Sequence, residues 1–274
     1  MKKICYILCL FCCLQACSSA KVPQQKLRQV DINASHISRK IQNDSFIMTI
    51  QNPLSCPLTF YIKDDDSGLS SQLNNIVVQA KSSTTVKTPY TKSTVPQLGV
   101  MFGDVNKTVQ YEPLSLPIRP NEKRRIIQGY NSSYSHNTDA SRYAIDFTFQ
   151  NHDTIFSAMN GYVVGFIDGY KHGGKGKKWK GYDNYITIYD PNTGLFTQYA
   201  HLRHKGVLVE KDQLVKMGDP IGLSGLTGFT DVEHLHFNVL VPDEAARTLK
   251  SAPIEFLEGY KGEDLKRGDW VIKQ

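Results

Sequence analysis

The stretch His234-Leu235-His236-Phe237-Asn238-Val239 alternates polar and apolar side chains residue by residue. Successive side chains of a β-strand point to opposite faces of its sheet, so this period of two predicts a strand. The polar face then carries both histidines, and the apolar face belongs to a core. Two imidazoles in these positions lie roughly 7 Å apart along the strand. Both can therefore reach one small site.

Two other segments have the same character. In Tyr143–Phe149 the bulky residues share the apolar face, which leaves Asp146 on the other face between small residues. A carboxylate among large apolar side chains is costly unless it is solvated, paired or bound to a metal ion. By the same rule of alternation, Thr197, Tyr199 and His201 are expected to share one face of a further strand.

The rest of the chain also has the pattern of short strands. Segments such as Ser45–Ile50 and Leu58–Ile62 are rich in β-branched and aromatic residues and are separated by turn-forming residues. Only a short piece near Asp243–Lys250 has a helical pattern. We predict an all-β protein, with a small β-sandwich over residues 25–113, a linker over 114–125 and a second β-rich domain over 126–274.

The first residues have the pattern of a secretion signal. Lys2 and Lys3 precede a short apolar stretch that is too short to span a bilayer as a helix. Leu14-Gln15-Ala16-Cys17 resembles a bacterial lipobox. We predict a signal peptide over residues 1–16, lipidation of Cys17 and a tether over 17–24. Since Ser18 gives no acidic retention signal, we expect a protein of the cell envelope, anchored in the outer membrane and facing the periplasm.

Bulk properties exclude some classes of protein. The formal net charge is +6 over 274 residues, without a concentrated basic helix, which argues against a nucleic-acid partner. Four of the six cysteines fall within the signal and Cys17 would carry lipid, so the mature chain keeps only Cys56 and cannot form an internal disulfide. The core must stabilise the fold unaided, and we expect a monomer.

Five side chains offer the donors of a catalytic metal site. Catalytic zinc takes three protein ligands from His, Asp or Glu and keeps one position for water. His136, Asp146 and one histidine of the His234/His236 pair would supply three ligands. The other member of that pair and His201 would remain for proton transfer. A scattered set of solvated polar residues is the simpler alternative for each residue taken alone.

Several separated motifs together resemble the lysostaphin- and LytM-type zinc metallopeptidases. They occur in the order of that family and cover nearly all of the second half; they are Gly129-Tyr130, Ser135-His136, Tyr143–Phe147, Ala158-x-x-Gly161, Tyr199–Leu202, Ser224–Gly228 and His234–Phe237. The resemblance implies an antiparallel, barrel-like sheet with an open groove. It also implies that His136, Asp146 and His236 bind Zn²⁺ and that His201 and His234 are catalytic.

The activity implied by the resemblance is hydrolysis of amide bonds in peptidoglycan cross-links or stem peptides. A non-catalytic peptidoglycan-binding or regulatory lipoprotein is the alternative. One spacing departs from the commonest family pattern, which places the first His and Asp four residues apart, whereas His136 and Asp146 are ten apart. Asp139 is therefore a rival ligand, but its polar surroundings suit a loop. The glycine- and lysine-rich segment 173–181 is predicted either as a solvated hairpin end or as a wall that contacts substrate.

Overall fold

The computed structural model describes residues 21–30, 36–63, 69, 73–150 and 152–274. The predicted signal peptide and Cys17 lie outside these residues. None of the helices in the described ranges has the length and apolar character needed to cross a membrane. The described ranges contain seventeen strands and a short 3₁₀ turn at Lys177–Trp179. The strands are β1 (Ile37–Ile41), β2 (Ser45–Gln51), β3 (Leu58–Ile62), β4 (Ile76–Val78), β5 (Ser83–Pro89), β6 (Leu98–Phe102), β7 (Lys123–Gln128), β8 (Ile145–Thr148), β9 (Thr154–Phe156), β10 (Gly161–Ile167), β11 (Asn184–Tyr189), β12 (Phe196–Val207), β13 (Leu214–Val215), β14 (Pro220–Ser224), β15 (His234–Asp243), β16 (Thr248–Ser251) and β17 (Trp270–Ile272).

The first block of the chain forms two three-stranded antiparallel sheets, ordered β1-β2-β5 and β4-β3-β6. Strand β2 alternates half-buried and buried residues, as expected for a sheet with one well-covered face. Its buried residues Phe46, Met48 and Ile50 belong to the same apolar cluster as Leu58 and Phe60 of β3. The two sheets therefore enclose one core, in the manner of a small sandwich.

The second block is one eleven-stranded antiparallel sheet with the path β13-β10-β11-β12-β15-β8-β7-β17. Strands β9, β14 and β16 branch from this path, which ends at β13 and β17 without closing into a barrel. The prediction of an all-β, antiparallel protein is confirmed. The expected helical piece near Asp243–Lys250 is wrong, because β15 and β16 pair there as a hairpin through Asp243 and Thr248.

One face of this large sheet covers the main core. Leu235, Phe237 and Val239 of β15 pack there with Ile145 and Phe147 of β8. The predicted alternation of β8 and β15 is thereby confirmed. The predicted linker over 114–125 contributes to the same core through its buried apolar residues Leu114, Leu116 and Ile118, and its last three residues begin β7. The domain boundaries themselves stay a prediction.

The opposite face of the large sheet is divided between two environments. At one end, Phe196 and its cross-strand partner Leu240 are buried in the core of the first block. The Phe196 ring lies 4.7 Å from Tyr189 and 6.4 Å from Phe102 of β6. Four residues further along β12, Ala200 pairs with His236, and this end of the face is open. The first block thus covers the face up to the place where a groove begins.

Candidate metal centre and groove

Strands β8 and β15 place two polar side chains side by side. Asp146 and His236 are direct cross-strand partners, and the loop before β8 adds His136. Asp146 Oδ1 lies 2.9 Å from His236 Nδ1 and 3.2 Å from His136 Nε2, and the two imidazole nitrogens are 3.2 Å apart. One donor atom from each residue lies within 4.8 Å of the others, so the three could hold a metal ion.

Neighbouring groups hold the three donors in orientation. His136 Nδ1 donates a hydrogen bond to the Gly129 carbonyl at 2.9 Å, which, in the neutral ring, leaves the lone pair of Nε2 facing the centre. Asp146 Oδ2 accepts a hydrogen bond of 3.0 Å from Gln128 Nε2, while Oδ1 faces the two imidazoles. Gln128 and Asp146 are opposite each other in the β7–β8 pair. Sequence analysis missed Gln128, whose only signal was its place in a strand before the Gly129-Tyr130 motif.

Two further histidines flank these donors. His201 Nδ1 donates to the Thr227 carbonyl at 2.8 Å, and His234 Nδ1 donates to the Val232 carbonyl at 2.9 Å. When these rings are neutral, Nε2 therefore carries the lone pair. The ring centroids of His201 and His234 are 4.6 Å apart, and His234 Nε2 lies 3.6 Å from Asp146 Oδ2. All five predicted site residues meet in one place.

The predicted orientation of His201 is wrong in one respect. Strict alternation puts His201 on the side of Tyr199, yet Tyr199 is fully buried in the main core and His201 lines the groove. A β-bulge explains the change, because the pairing of β11 with β12 steps from Tyr185–Ala200 to Asn184–Leu202 and skips His201. His201 has a positive φ of 64°, which turns its side chain out of the alternating pattern.

The rival ligand Asp139 lies outside the cluster of donors. Its carboxylate forms an ion pair with Arg142, three residues away, and its side chain is 71% exposed. Asp146 is 5% exposed and lies between the imidazoles. Asp139 is therefore solvated and paired with Arg142, and it does not lie among the donor atoms of the centre. The geometry therefore favours Asp146 over Asp139 as a donor.

Burial and the neighbouring rings set the ionisation of the metal-free centre. Burial opposes ionisation of Asp146, but His234, His136 and His236 outweigh it and hold its pKa well below the usual range. Burial opposes protonation of His136 as well, yet the hydrogen bond to Asp146 raises its pKa. Burial, helped by the charges of His234 and His236, lowers the pKa of His201 to about 3. His201 is therefore neutral at pH 7 in the metal-free protein.

A groove of about 950 Å³ gives access to the centre. Tyr134 and Phe229, from the loops before His136 and His234, stack at its wall with ring centroids 5.4 Å apart. Asp183 lines the same groove, and burial raises the pKa of its carboxyl group. Sequence analysis did not single out Asp183, which lies in a loop without a motif. Lys180 and Gly181 also line the groove, so part of the predicted lysine-rich segment is a wall of the site.

Comparisons with known proteins agree with this arrangement. Residues 140–248 match the model of Peptidase family M23, a range that contains four of the five site residues but begins after His136. A peptidoglycan DD-endopeptidase of Vibrio cholerae, ShyB, is 43% identical over 68 residues, which is 25% of this chain and 15% of that protein. An uncharacterized metalloprotease of Buchnera aphidicola is 50% identical over 56 residues, 20% of this chain and 14% of that protein.

Two solved structures are also similar to this chain at a low level. A zinc-containing peptidase from Vibrio cholerae is 18% identical, covers 76% of this chain and 78% of its own, and has a TM-score of 0.37. The catalytic domain of lysostaphin from Staphylococcus simulans is 20% identical, covers 48% of this chain and 87% of its own, and has a TM-score of 0.32. Because both TM-scores are low, the match to a family rests on the sequence comparisons alone. Residues 140–248, within the second block, form a region that matches Peptidase family M23.

Proposed function

We propose that this chain is a zinc-dependent endopeptidase that hydrolyses amide bonds in peptidoglycan cross-links or stem peptides. The observation that carries the proposal is the meeting of His136, Asp146 and His236 beside two more histidines at the floor of a groove. The name of the Vibrio cholerae relative, a peptidoglycan DD-endopeptidase, favours a D-alanyl cross-link as the bond that is cut.

The donor set fits zinc. Two neutral imidazole nitrogens and one carboxylate oxygen are a ligand set of catalytic zinc, which keeps a further position for water or substrate. His136 is oriented for this role by Gly129, and Asp146 by Gln128, the kind of outer partners that metal ligands require. Zinc bound by these residues supplies a Lewis acid and lowers the pKa of a water ligand toward about 7.

His201 and His234 would transfer protons and stabilise charge during the reaction. His201 and His234 each hold Nδ1–H against a backbone carbonyl and present Nε2 toward the centre. One of them accepts a proton from the attacking water, and the other, when charged, stabilises the negative charge that develops on the carbonyl oxygen. Proton donation to the leaving amine completes the cleavage. The fixed tautomers mean that neither ring must turn during this exchange.

The cellular setting belongs to the same proposal. Cys17 after Leu14-Gln15-Ala16 supports a lipid-anchored protein of the cell envelope, located in the outer membrane and facing the periplasm. Such a protein would meet peptidoglycan within reach of its anchor. Inhibition of the lipoprotein signal peptidase tests the anchor, since processing that is unchanged by the inhibitor contradicts it.

Digestion of purified sacculi tests the activity. We expect the protein to contain one zinc ion and to release cross-linked fragments, and a chelator to abolish release. His201→Ala should keep its zinc and lose at least about 100-fold in turnover, whereas His236→Ala should lose both. Sacculi that are bound but not cut by the zinc-loaded protein would show a binding module instead, and digestion that resists the chelator would exclude zinc catalysis.

A further inference from the structure

Residues 171–180, the lysine loop, carry five lysines and no acidic residue. The loop has a defined backbone. Trp179 is 4% exposed, and the Gly174 amide donates to the Gly228 carbonyl at 2.9 Å. Gly173 pairs with Gly228 as an isolated bridge. These contacts hold the backbone of the loop in place, and the lysine side chains extend from it.

Most of this charge has no acidic partner. Lys175 pairs with Asp231 at 3.0 Å. Within the part of the chain that the structure describes, Lys171, Lys177 and Lys178 form no ion pair, and all three are exposed. Close positive charges that repel one another and face water are a favourable site for a polyanion.

The N-terminal segment of the described chain runs onto this loop. Lys21 and Leu27 line one small pocket together with Lys171 and Trp179. The Leu27 amide donates to the Tyr170 hydroxyl at 2.6 Å. The segment is therefore packed against the peptidase block rather than standing away from it, and Lys21 adds its charge to those of the loop.

The predicted anchor lies close to these charges. Lys21 follows Cys17 by four residues, and an extended chain spans at most about 3.5 Å per residue, so their Cα atoms are within about 14 Å. Acyl chains on Cys17 would hold the lysine loop beside the membrane surface. Unpaired lysines at such a distance act on anionic headgroups over a Debye length of about 8 Å.

We propose that the lysine loop, together with Lys21, is a docking surface for anionic phospholipid headgroups of the membrane that carries the anchor. The proposal rests on lipidation of Cys17 and is independent of peptidase activity. An acyl anchor and a polybasic patch are two signals that together fix a protein on a membrane. Because Lys180 also lines the groove, docking places the groove opening beside the membrane.

Labelling of lysines in proteoliposomes tests the docking. The lipidated full-length protein is placed in vesicles of phosphatidylcholine alone or with added phosphatidylglycerol, and a water-soluble amine reagent is followed by mass spectrometry. We expect Lys171, Lys177 and Lys178 to react about fivefold more slowly on the anionic vesicles, and high salt to remove the difference. The exposed residues Lys40, Lys87 and Lys92 of the first block are internal controls that keep their rates.

Two matched variants sharpen the result. Replacing the three loop lysines by Gln should remove the protection of Lys21, whereas replacing the three control lysines should not. Equal labelling on both kinds of vesicle, or protection by sacculi instead of anionic lipid, would overturn the proposal. Failure of the anchor gives a different result, because the protein would then not float with neutral vesicles.

Discussion

Gln128 offers a sharp test of how the proposed metal centre is held. Its Nε2 donates to Asp146 Oδ2 at 3.0 Å and to Ser135 Oγ at 2.6 Å, and its Oε1 accepts from Ser132 Oγ at 3.1 Å. Gln128 is 7% exposed and Asp146 is 5% exposed, so water has little room to replace the amide. Substitution Gln128→Met keeps a similar volume and removes the hydrogen bond to the carboxylate.

The expected loss can be estimated from that one bond. A hydrogen bond to a charged group contributes about 1.5–3 kcal/mol, which corresponds to about 10- to 150-fold in affinity. Loss of an outer partner of a metal ligand costs about 10- to 100-fold. We therefore expect Gln128→Met to bind zinc at least tenfold more weakly, while the protein still folds.

Competition with a chromophoric chelator measures the affinity. Ser132→Ala is the matched control, because it contacts the same amide from the side away from the carboxylate, and it should change the affinity by less than about threefold. Circular dichroism checks that both variants are folded. Gln128→Met protein that binds zinc as tightly as the parent would show that the amide does not position Asp146.

Other substitutions probe the ligand set, the ionisation of the centre and the shared core. Asp146→Ala should lose its metal and Asp139→Ala should retain it, as measured by metal analysis; retention by the first would refute the ligand assignment. In chelated protein the raised pKa of His136 gives a stabilisation that is present below pH 6.5 and lost as the pH rises through its folded pKa. Denaturant titrations should show a lower free energy of unfolding at pH 8 than at pH 6. The same pH dependence in Asp146→Asn as in the parent protein would contradict this explanation. Phe196→Ala should reduce the free energy of unfolding by about 3–5 kcal/mol in a single transition for both blocks, and two separate transitions by calorimetry would disprove a common core.

Regular strands made much of the site predictable. In β8 and in the first six residues of β15 the polar and apolar residues alternate, so the placement of Asp146 and His236 on one face follows from the sequence. The motif order of a known family then joined these strands to a distant histidine. Alternation failed at His201, because a bulge depends on how two strands pair and leaves no mark in one strand alone.

The packing of the first block was also beyond prediction. A strand that is covered on both faces tends toward a continuous apolar sequence, and β11 has four successive buried residues, of which only Thr187 is polar. The pattern shows that something covers the second face, but not which segment does so. Only the structure identifies the first block as the cover of Tyr189, Phe196 and Leu240.

The packing of the first block on the second has a practical consequence for work on the second block alone. A fragment that starts at residue 126 would expose one apolar surface to water, formed by Val164, Tyr189, Phe196 and Leu240. Exposed apolar surfaces of this kind promote aggregation. A shortened protein of this kind would aggregate even if the proposed metal centre were intact, and a lack of activity would say nothing about catalysis. Expression plasmids should therefore encode both halves.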